Sequence, residues 1–330
     1  MRLRNTLLLA FALILLAAYV YFFELQKGIK DKTEKLLSFK EEEVQSLVLN
    51  YPDREIRLQR DLQGRWRIVH PLEAAADDAT IGTILSALNT SEVKRTVEER
   101  PTETDLQNYG LDKPEVKALV SLRNGIALPP IFVGATTPVG NSAYIRRGAD
   151  AGVLLTDASL RSNLVRKLKD LRNKRILEIG PDAVKQLVIR GSKGDFALSK
   201  KGEYWFIDRP RYYRADQAEV QGMLSVIRNL STQDFIEESP LELKKFALDK
   251  PRLKVAIFMG QEEGFREILF GGKRGEQDGV YAIVDSKGTV YSVDESILIK
   301  LEKDLTALRD KEILSARRDQ IARLEIRTPK

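Results

Sequence analysis

The sequence predicts an α+β protein: a tandem duplication of one mostly antiparallel sheet module with two main helices per copy, preceded by a single N-terminal transmembrane helix. Three observations predict it. Leu7 to Phe23 is an uninterrupted apolar run. A set of ordered matches recurs along the rest of the chain at a nearly constant offset. Within each copy, period-two alternation dominates and is interrupted by two apolar stripes at helical spacing.

The run from Leu7 reads LLLAFALILLAAYVYFF. At about 1.5 Å per residue it reaches roughly 26 Å, and Leu3 with a snorkelling Arg4 extends it toward a bilayer core of ~30 Å. A cleaved signal peptide carries a shorter apolar core that ends in small residues. This run ends in Tyr19, Tyr21, Phe22 and Phe23, aromatics that suit a membrane interface. No cysteine follows to carry a lipid. The expectation is an uncleaved signal anchor that meets the lipid bilayer through residues 7–23. Arg2 and Arg4 precede the run, and Lys27, Lys30, Lys32 and Lys35 compete with them from the other side. A short N-terminus that need not be translocated favours the cytoplasmic side for Met1 and leaves the body outside.

The repeat follows. Trp66, Pro71, Ala76, Asp77 and Leu85 recur 139 residues later as Trp205, Pro210, Ala215, Asp216 and Leu224. YGLDKP, ending at Pro114, recurs as FALDKP, ending at Pro251. DLRNKRIL, containing Arg172, recurs as a segment containing Arg309, and here the offset is 137. Each copy opens with an alternating strand, at Val44 to Leu49 or Val184 to Ile189, then a second strand and a third that holds the tryptophan. Asp77 and Asp216 each precede a stripe (Ile81, Ile84, Leu85, Leu88; Val220, Met223, Leu224, Ile227) and are placed to cap its helix. Glu219 would complete a capping box in the second copy. After the LDKP turn, Val116, Ala118, Val120 and Leu122 alternate, as do Leu253, Val255, Ile257 and Met259. Further short strands carry PPIFVG and SAYIRR, or EILFGG and GVYAIV. A closing helix capped by Asp157 or Asp294 carries Leu160, Leu164, Leu168 and Leu171, or Ile297, Leu301, Leu305 and Leu308.

The chain thus divides into residues 1–36 (tip, anchor and stalk), 37–177 (module 1), 178–314 (module 2) and 315–330. The last of these holds Ile321 to Ile326, which resembles a module's opening strand and either completes the second sheet or begins a third copy.

Chemistry is sparse. Lys and Arg number 54 against 48 Asp and Glu, a net +6 too diluted to point to nucleic acid. Zero cysteines exclude disulfides, thiolate metal sites and a cysteine nucleophile, and one histidine, His70, removes most histidine-based metal sites. Phosphate-loop, dinucleotide, nucleophile-elbow and zincin motifs are absent. FGGKRG at Phe270 to Gly275 sits between strands and reads as a hairpin. Asp77 and Asp78 invite a paired-acid reading, but the second copy has Asp216 and Gln217, so capping explains the acid both retain. Asn89 and Asn229 head glycosylation-like triplets that read better as helix C-caps. Trp66 and Trp205, repeated in one strand, read as core. No catalytic residue, cofactor or metal is expected. One feature is asymmetric: Arg209, Arg211, Tyr212, Tyr213 and Arg214 lie just before the second capped helix, where the first copy has His70, Leu72, Glu73, Ala74 and Ala75. Guanidiniums among tyrosines suit an anionic group or an acidic partner surface, against a plain solvated basic loop.

The anchor, the W…P…AD helix start, YGLDKP, the strand ending in VG or FGG, the tyrosine in the next strand and the LR-[ND]-K closing segment together resemble the bacterial domain-of-unknown-function family 4340, over residues 37–314. The resemblance implies a membrane-anchored envelope protein with tandem copies, similar in some members to the auxiliary subunit of gliding-motility-type ABC transporters. It brings no catalytic residues. The expectation is therefore a non-enzymatic, single-pass protein of the bacterial inner membrane with a periplasmic body, acting as an interaction or assembly scaffold with protein partners in an ABC-type transport complex. The alternative is a solute- or anion-binding protein that uses the junction between the modules, and a small-molecule ligand is left open.

Overall fold

The computed structural model describes residues 34–148, 152–180, 182–260, 264–275, 278–312, 323 and 325. The predicted anchor at 7–23 and the strand expected at 321–326 lie outside the described residues, save Arg323 and Glu325. Among the described residues no helix is long and apolar enough to cross a membrane. The chain divides into two compact units, Met1–Asn173 and Lys174–Lys330.

In the first unit the strands are β1 (Glu34–Lys35), β2 (Val44–Asn50), β3 (Glu55–Arg60), β4 (Trp66–His70), β5 (Ala74–Ala75), β6 (Glu92–Val93), β7 (Arg95–Glu98), β8 (Val116–Leu122), β9 (Ile131–Thr136), β10 (Ser142–Arg147) and β11 (Val153–Asp157). β1 and β6 form a small pair, and the others form a nine-stranded sheet in the order β5-β4-β3-β2-β8-β9-β10-β11-β7. The second unit has β12 (Gln186–Gly191), β13 (Gly194–Lys201), β14 (Tyr204–Arg209), β15 (Tyr213–Arg214), β16 (Asp234–Glu238), β17 (Leu253–Phe258), β18 (Phe265–Lys273), β19 (Val280–Val284) and β20 (Lys287–Val293). Its sheet runs β15-β14-β13-β12-β17-β18-β19-β20-β16, which is the same topology strand for strand. Every strand pair recorded in both sheets is antiparallel, as short connections between neighbouring strands require.

Helices pack on the main-core face of each sheet: α1 (Asp78–Thr90), α3 (Ala158–Leu164) and α4 (Leu168–Leu171) in the first unit, and α5 (Gln217–Arg228), α6 (Ser296–Leu301) and α7 (Leu305–Leu308) in the second. The short α2 (Glu103–Asn108) stands apart from them and leads into the loop whose Tyr109 carbonyl lies over Gly134. α1 buries Ile81, Ile84, Leu85 and Leu88, and α5 buries Val220, Met223, Leu224 and Ile227, the stripes that the spacing predicts. Trp66 and Trp205 lie in the two main cores. The counterpart of α2 in the second unit is only a 3₁₀ turn, Leu243–Phe246.

The closing helix departs from expectation: in both units it is two short helices and not one. In the first unit a long-range contact holds the break. Tyr51, buried after β2, donates its hydroxyl to the Leu164 carbonyl at 2.8 Å, and the Arg166 amide donates back to that hydroxyl at 3.3 Å. The Asp170 carboxylate then takes the Lys167 amide and starts α4. In the second unit Asp304 restarts the helix by accepting from Ala307 N. Burial raises the Tyr51 pKa, so the folded protein holds the phenol proton more tightly than the unfolded chain. That contribution is present below about pH 10 and is lost as pH rises through the folded value. Tyr51→Phe is expected to lower unfolding free energy by roughly 1–2 kcal/mol near neutrality and to flatten this alkaline loss; urea titrations at several pH values measure both.

Candidate functional site

The residues that the two copies share are drawn into the fold in matching ways. Asp77 Oδ1 accepts from Thr80 N at 2.7 Å, and Asp216 Oδ1 accepts from Ala218 N and Glu219 N at 3.0 and 3.1 Å, so both aspartates cap their helices as expected. The capping box predicted with Glu219 does not form. The Asp216 amide donates instead to Leu308 O at 2.8 Å, as the Asp77 amide does to Leu171 O, and the Glu219 carboxylate pairs with Lys303. Asp78 is not half of an acid pair: its carboxylate accepts the Trp66 amide at 2.9 Å. Gln217 does the same for the Trp205 amide at 2.8 Å. An amide and a carboxylate serve equally as acceptors, which is why the position differs in charge and not in role. Asn229 caps the end of α5, whereas Asn89 stays inside α1 and accepts the Phe39 amide.

Arg172 and Arg309 occupy equivalent β-bridges, to Ala76 and Ala215. These bridges fasten the end of each closing segment beside the start of α1 or α5. Arg172 is buried, while Arg309 is exposed and lies 5.6 Å from the Tyr213 ring.

The LDKP loop, the VG or FGG strand and the following tyrosine converge. The Tyr109 ring meets Tyr144 at 4.5 Å, and Phe246 meets Tyr281 at 5.0 Å. Beyond Pro114 and Pro251 the next amides, Glu115 N and Arg252 N, join β9 and β18 at Val133 O and Phe270 O. FGGKRG therefore belongs to β18 and its turn, and Gly271 lies directly beneath the Phe246 carbonyl. At the tip of this loop Gly110 has φ +65°, and its equivalent, Ala247, is held at φ 53°. The methyl group has changed sides. A Cβ on Gly110 would stand 3.4 Å from the Ala135 Cβ, whereas Ala247 faces Gly272. Ala247→Gly is expected to raise stability by about 0.5–1 kcal/mol, because release of the left-handed alanine outweighs the entropy given to the unfolded chain. Gly110→Ala should destabilise, and thermal melts of both separate the two effects.

The Arg-Tyr segment lies at the β14–β15 edge. Arg209 and Arg211 are exposed, Tyr213 packs partly on the core, and Arg214 pairs with Asp310 at 3.5 Å. Cation and ring alternate: Arg211 lies over Tyr213, Arg214 over Tyr204, and Lys201 over Tyr212, at 5.8, 4.6 and 4.7 Å. Tyr212 in turn stacks on Phe206 at 5.5 Å. Tyr204, Phe206 and Lys201 were not singled out from sequence, yet alternation against the buried Trp205 for the first two, and against Leu198 for Lys201, marks them as outward-facing. His70 is exposed at the end of β4, and the His70–Pro71 and Arg209–Pro210 bonds are both cis. Polar grooves of about 530 and 480 Å³ flank α1–α3 and α5–α6, lined among others by Ser86, Thr90 and Asn163, and by Ser225, Asn229 and Lys300. Among the described residues no group of acidic or histidine side chains has metal-binding geometry.

A family model described as a domain of unknown function, DUF4340, matches residues 66–204 and 205–330. Each match opens at or beside a repeated tryptophan in the third strand of a unit, so the first runs on into the opening strands of the second unit. No curated protein and no solved structure matches the chain.

Proposed function

The chain belongs to the DUF4340 family, and on that premise we propose that it is a non-catalytic envelope protein, anchored by residues 7–23, whose two like modules act as an assembly scaffold accessory to an ABC-type transport system. The observation that carries this reading is the use made of the repeated residues. The tryptophans, capping aspartates, loop aromatics and strand glycines hold the same sheet together twice. The copies diverge on exposed surface, at the β14–β15 edge, and divergence on a repeated frame suits recognition of a partner more than shared chemistry.

Co-purification from membranes tests the scaffold: transport subunits are expected to be recovered with the intact chain, and their absence under gentle solubilisation would sink it. The periplasmic placement is tested separately. The chain has no cysteine, so a single Gln63→Cys should react with an impermeant maleimide in intact cells; labelling only after lysis would reverse the orientation. Arg209 and Arg211, which have no carboxylate partner among the described residues, favour anion binding as the second reading. A rise in melting temperature with added polyphosphate, in the absence of any recovered partner, would replace the scaffold with it.

A further inference from the structure

The second sheet has an outer face whose two halves differ. Ile257, Trp205, Leu198 and Ile268 point into the main core, so their strand neighbours point the other way. Over β18–β20 this outer face is covered: Phe246 and Leu248 of the LDKP loop pack on Leu269, Ile283 and Val290 in a satellite cluster. Over β12–β15 nothing among the described residues covers it, and there the register aligns one row across the sheet. Arg214 pairs with Phe206, Phe206 with Ser199, Ser199 with Gln186, Gln186 with Phe258, and Phe258 with Phe265. Phe265 is 52% exposed and Phe258 36%, with Tyr204 at 50% and Tyr212 at 56% beside them. Ser199 is buried in mid-row, and its Oγ has no hydrogen-bond partner among the described residues.

The first unit carries the same face in polar form. Its equivalent row is Ala75, Arg67, Gln59, Ser46 and Ser121, with Ala127 bridged to Ser121 where the second unit has Phe265. One fold therefore tolerates both surfaces, and the aromatic residues of the second unit are not required by its packing.

Resting on the scaffold reading, we propose that this open half-face is the docking surface for a partner protein that presents carboxylates around an apolar centre. Exposed phenylalanines and tyrosines beside arginine are the composition of interface anchors, and here they stand as two aromatic groups, Phe206 with Tyr212 and Phe258 with Phe265, on either side of Ser199 and Gln186. Charge selects the occupant. Lys201, Arg209, Arg211 and Arg214 lie on or beside the face, against Asp208 and Asp310, which are already paired to Lys201 and Arg214. Those pairs and the cation–ring contacts hold the basic groups in place, so a partner's carboxylates meet a preorganised surface.

The test uses the full chain in detergent micelles, immobilised through its N-terminus, with a random glutamate–tyrosine copolymer (4:1) as probe. Saturable binding is expected, weakened by rising salt, and reduced at least tenfold by Phe258→Ser with Tyr212→Glu, the residues the first unit carries at those places. Ala127→Ser, on the exposed residue bridged to Ser121 in the first unit, should bind as the parent does, and all variants should melt within a few degrees of it. No binding, or equal binding by the double variant, overturns the proposal. Preference for phosphatidylglycerol-containing vesicles, lost in the double variant, overturns it in favour of a lipid surface. Transport subunits that still co-purify with the double variant overturn the docking site and leave the scaffold standing; their failure to co-purify even with the parent chain overturns the scaffold itself.

Discussion

Gly271→Ala is expected to destabilise the second unit by about 3 kcal/mol, a fall of roughly 6–12 °C in its melting temperature. The backbone at Gly271 is not left-handed, so conformational freedom is not the reason. The added methyl would stand 2.2 Å from the Phe246 carbonyl oxygen and 3.1 Å from the Leu248 side chain. A carbonyl in a turn cannot retreat as a flexible side chain does, so the loop must lift from β18 and take Phe246 and Leu248 off the satellite core. Gly134→Ala should act alike in the first unit, where the Tyr109 carbonyl would stand 2.3 Å away. Gly222→Ala is the control: it lies in α5 with nothing within 4 Å of an added Cβ and should gain up to about 1 kcal/mol of helix propensity. If Gly271→Ala and Gly222→Ala melt together, the close loop contact is not what the repeated glycine serves.

These glycines show where sequence reading stops. The VG and FGG endings stand out as repeated motifs, and YGLDKP stands out as another, but nothing in the chain says that one lies under the other. The stripes of α1 and α5, the inward tryptophans and the Asp77 and Asp216 caps are local patterns of period, burial and spacing, and all of them are legible. Contacts across long separations are not. Tyr51 holds the break in the first closing helix from 113 residues away, and the Glu219 carboxylate pairs with Lys303 in place of a capping box. The Arg-Tyr segment is contiguous and so visible in the sequence. The face it borders is assembled from β12, β13, β14, β15, β17 and β18, and Phe258 and Phe265 join it only through register. Comparison of the two copies is the signal that would have found it, since Ser121 and Phe258 stand at equivalent outward positions.

Trp205→Ala should be the most damaging single truncation of the second unit. The ring is 1% exposed among Ile207, Val220 and Leu224, and deletion of a buried aromatic of this size costs about 3–5 kcal/mol. The loss belongs to the ring alone, because the backbone at Trp205 is held independently: its amide donates to Gln217 Oε1 at 2.8 Å, and its carbonyl accepts from Gln217 Nε2 at 3.1 Å. Trp205→Phe separates volume from polarity. It leaves a smaller gap and also removes an indole N–H that has no hydrogen-bond partner among the described residues, a group whose burial costs about 1–3 kcal/mol. The two terms oppose each other, so the phenylalanine variant is expected to lose less than about 2 kcal/mol. The chain has only two tryptophans, so in either variant Trp66 fluorescence follows the first unit by itself while circular dichroism follows both. Early melting in the dichroism with an unshifted Trp66 transition is the expected pattern. Unchanged stability of Trp205→Ala would mean that the ring is held for a ligand and not for the core.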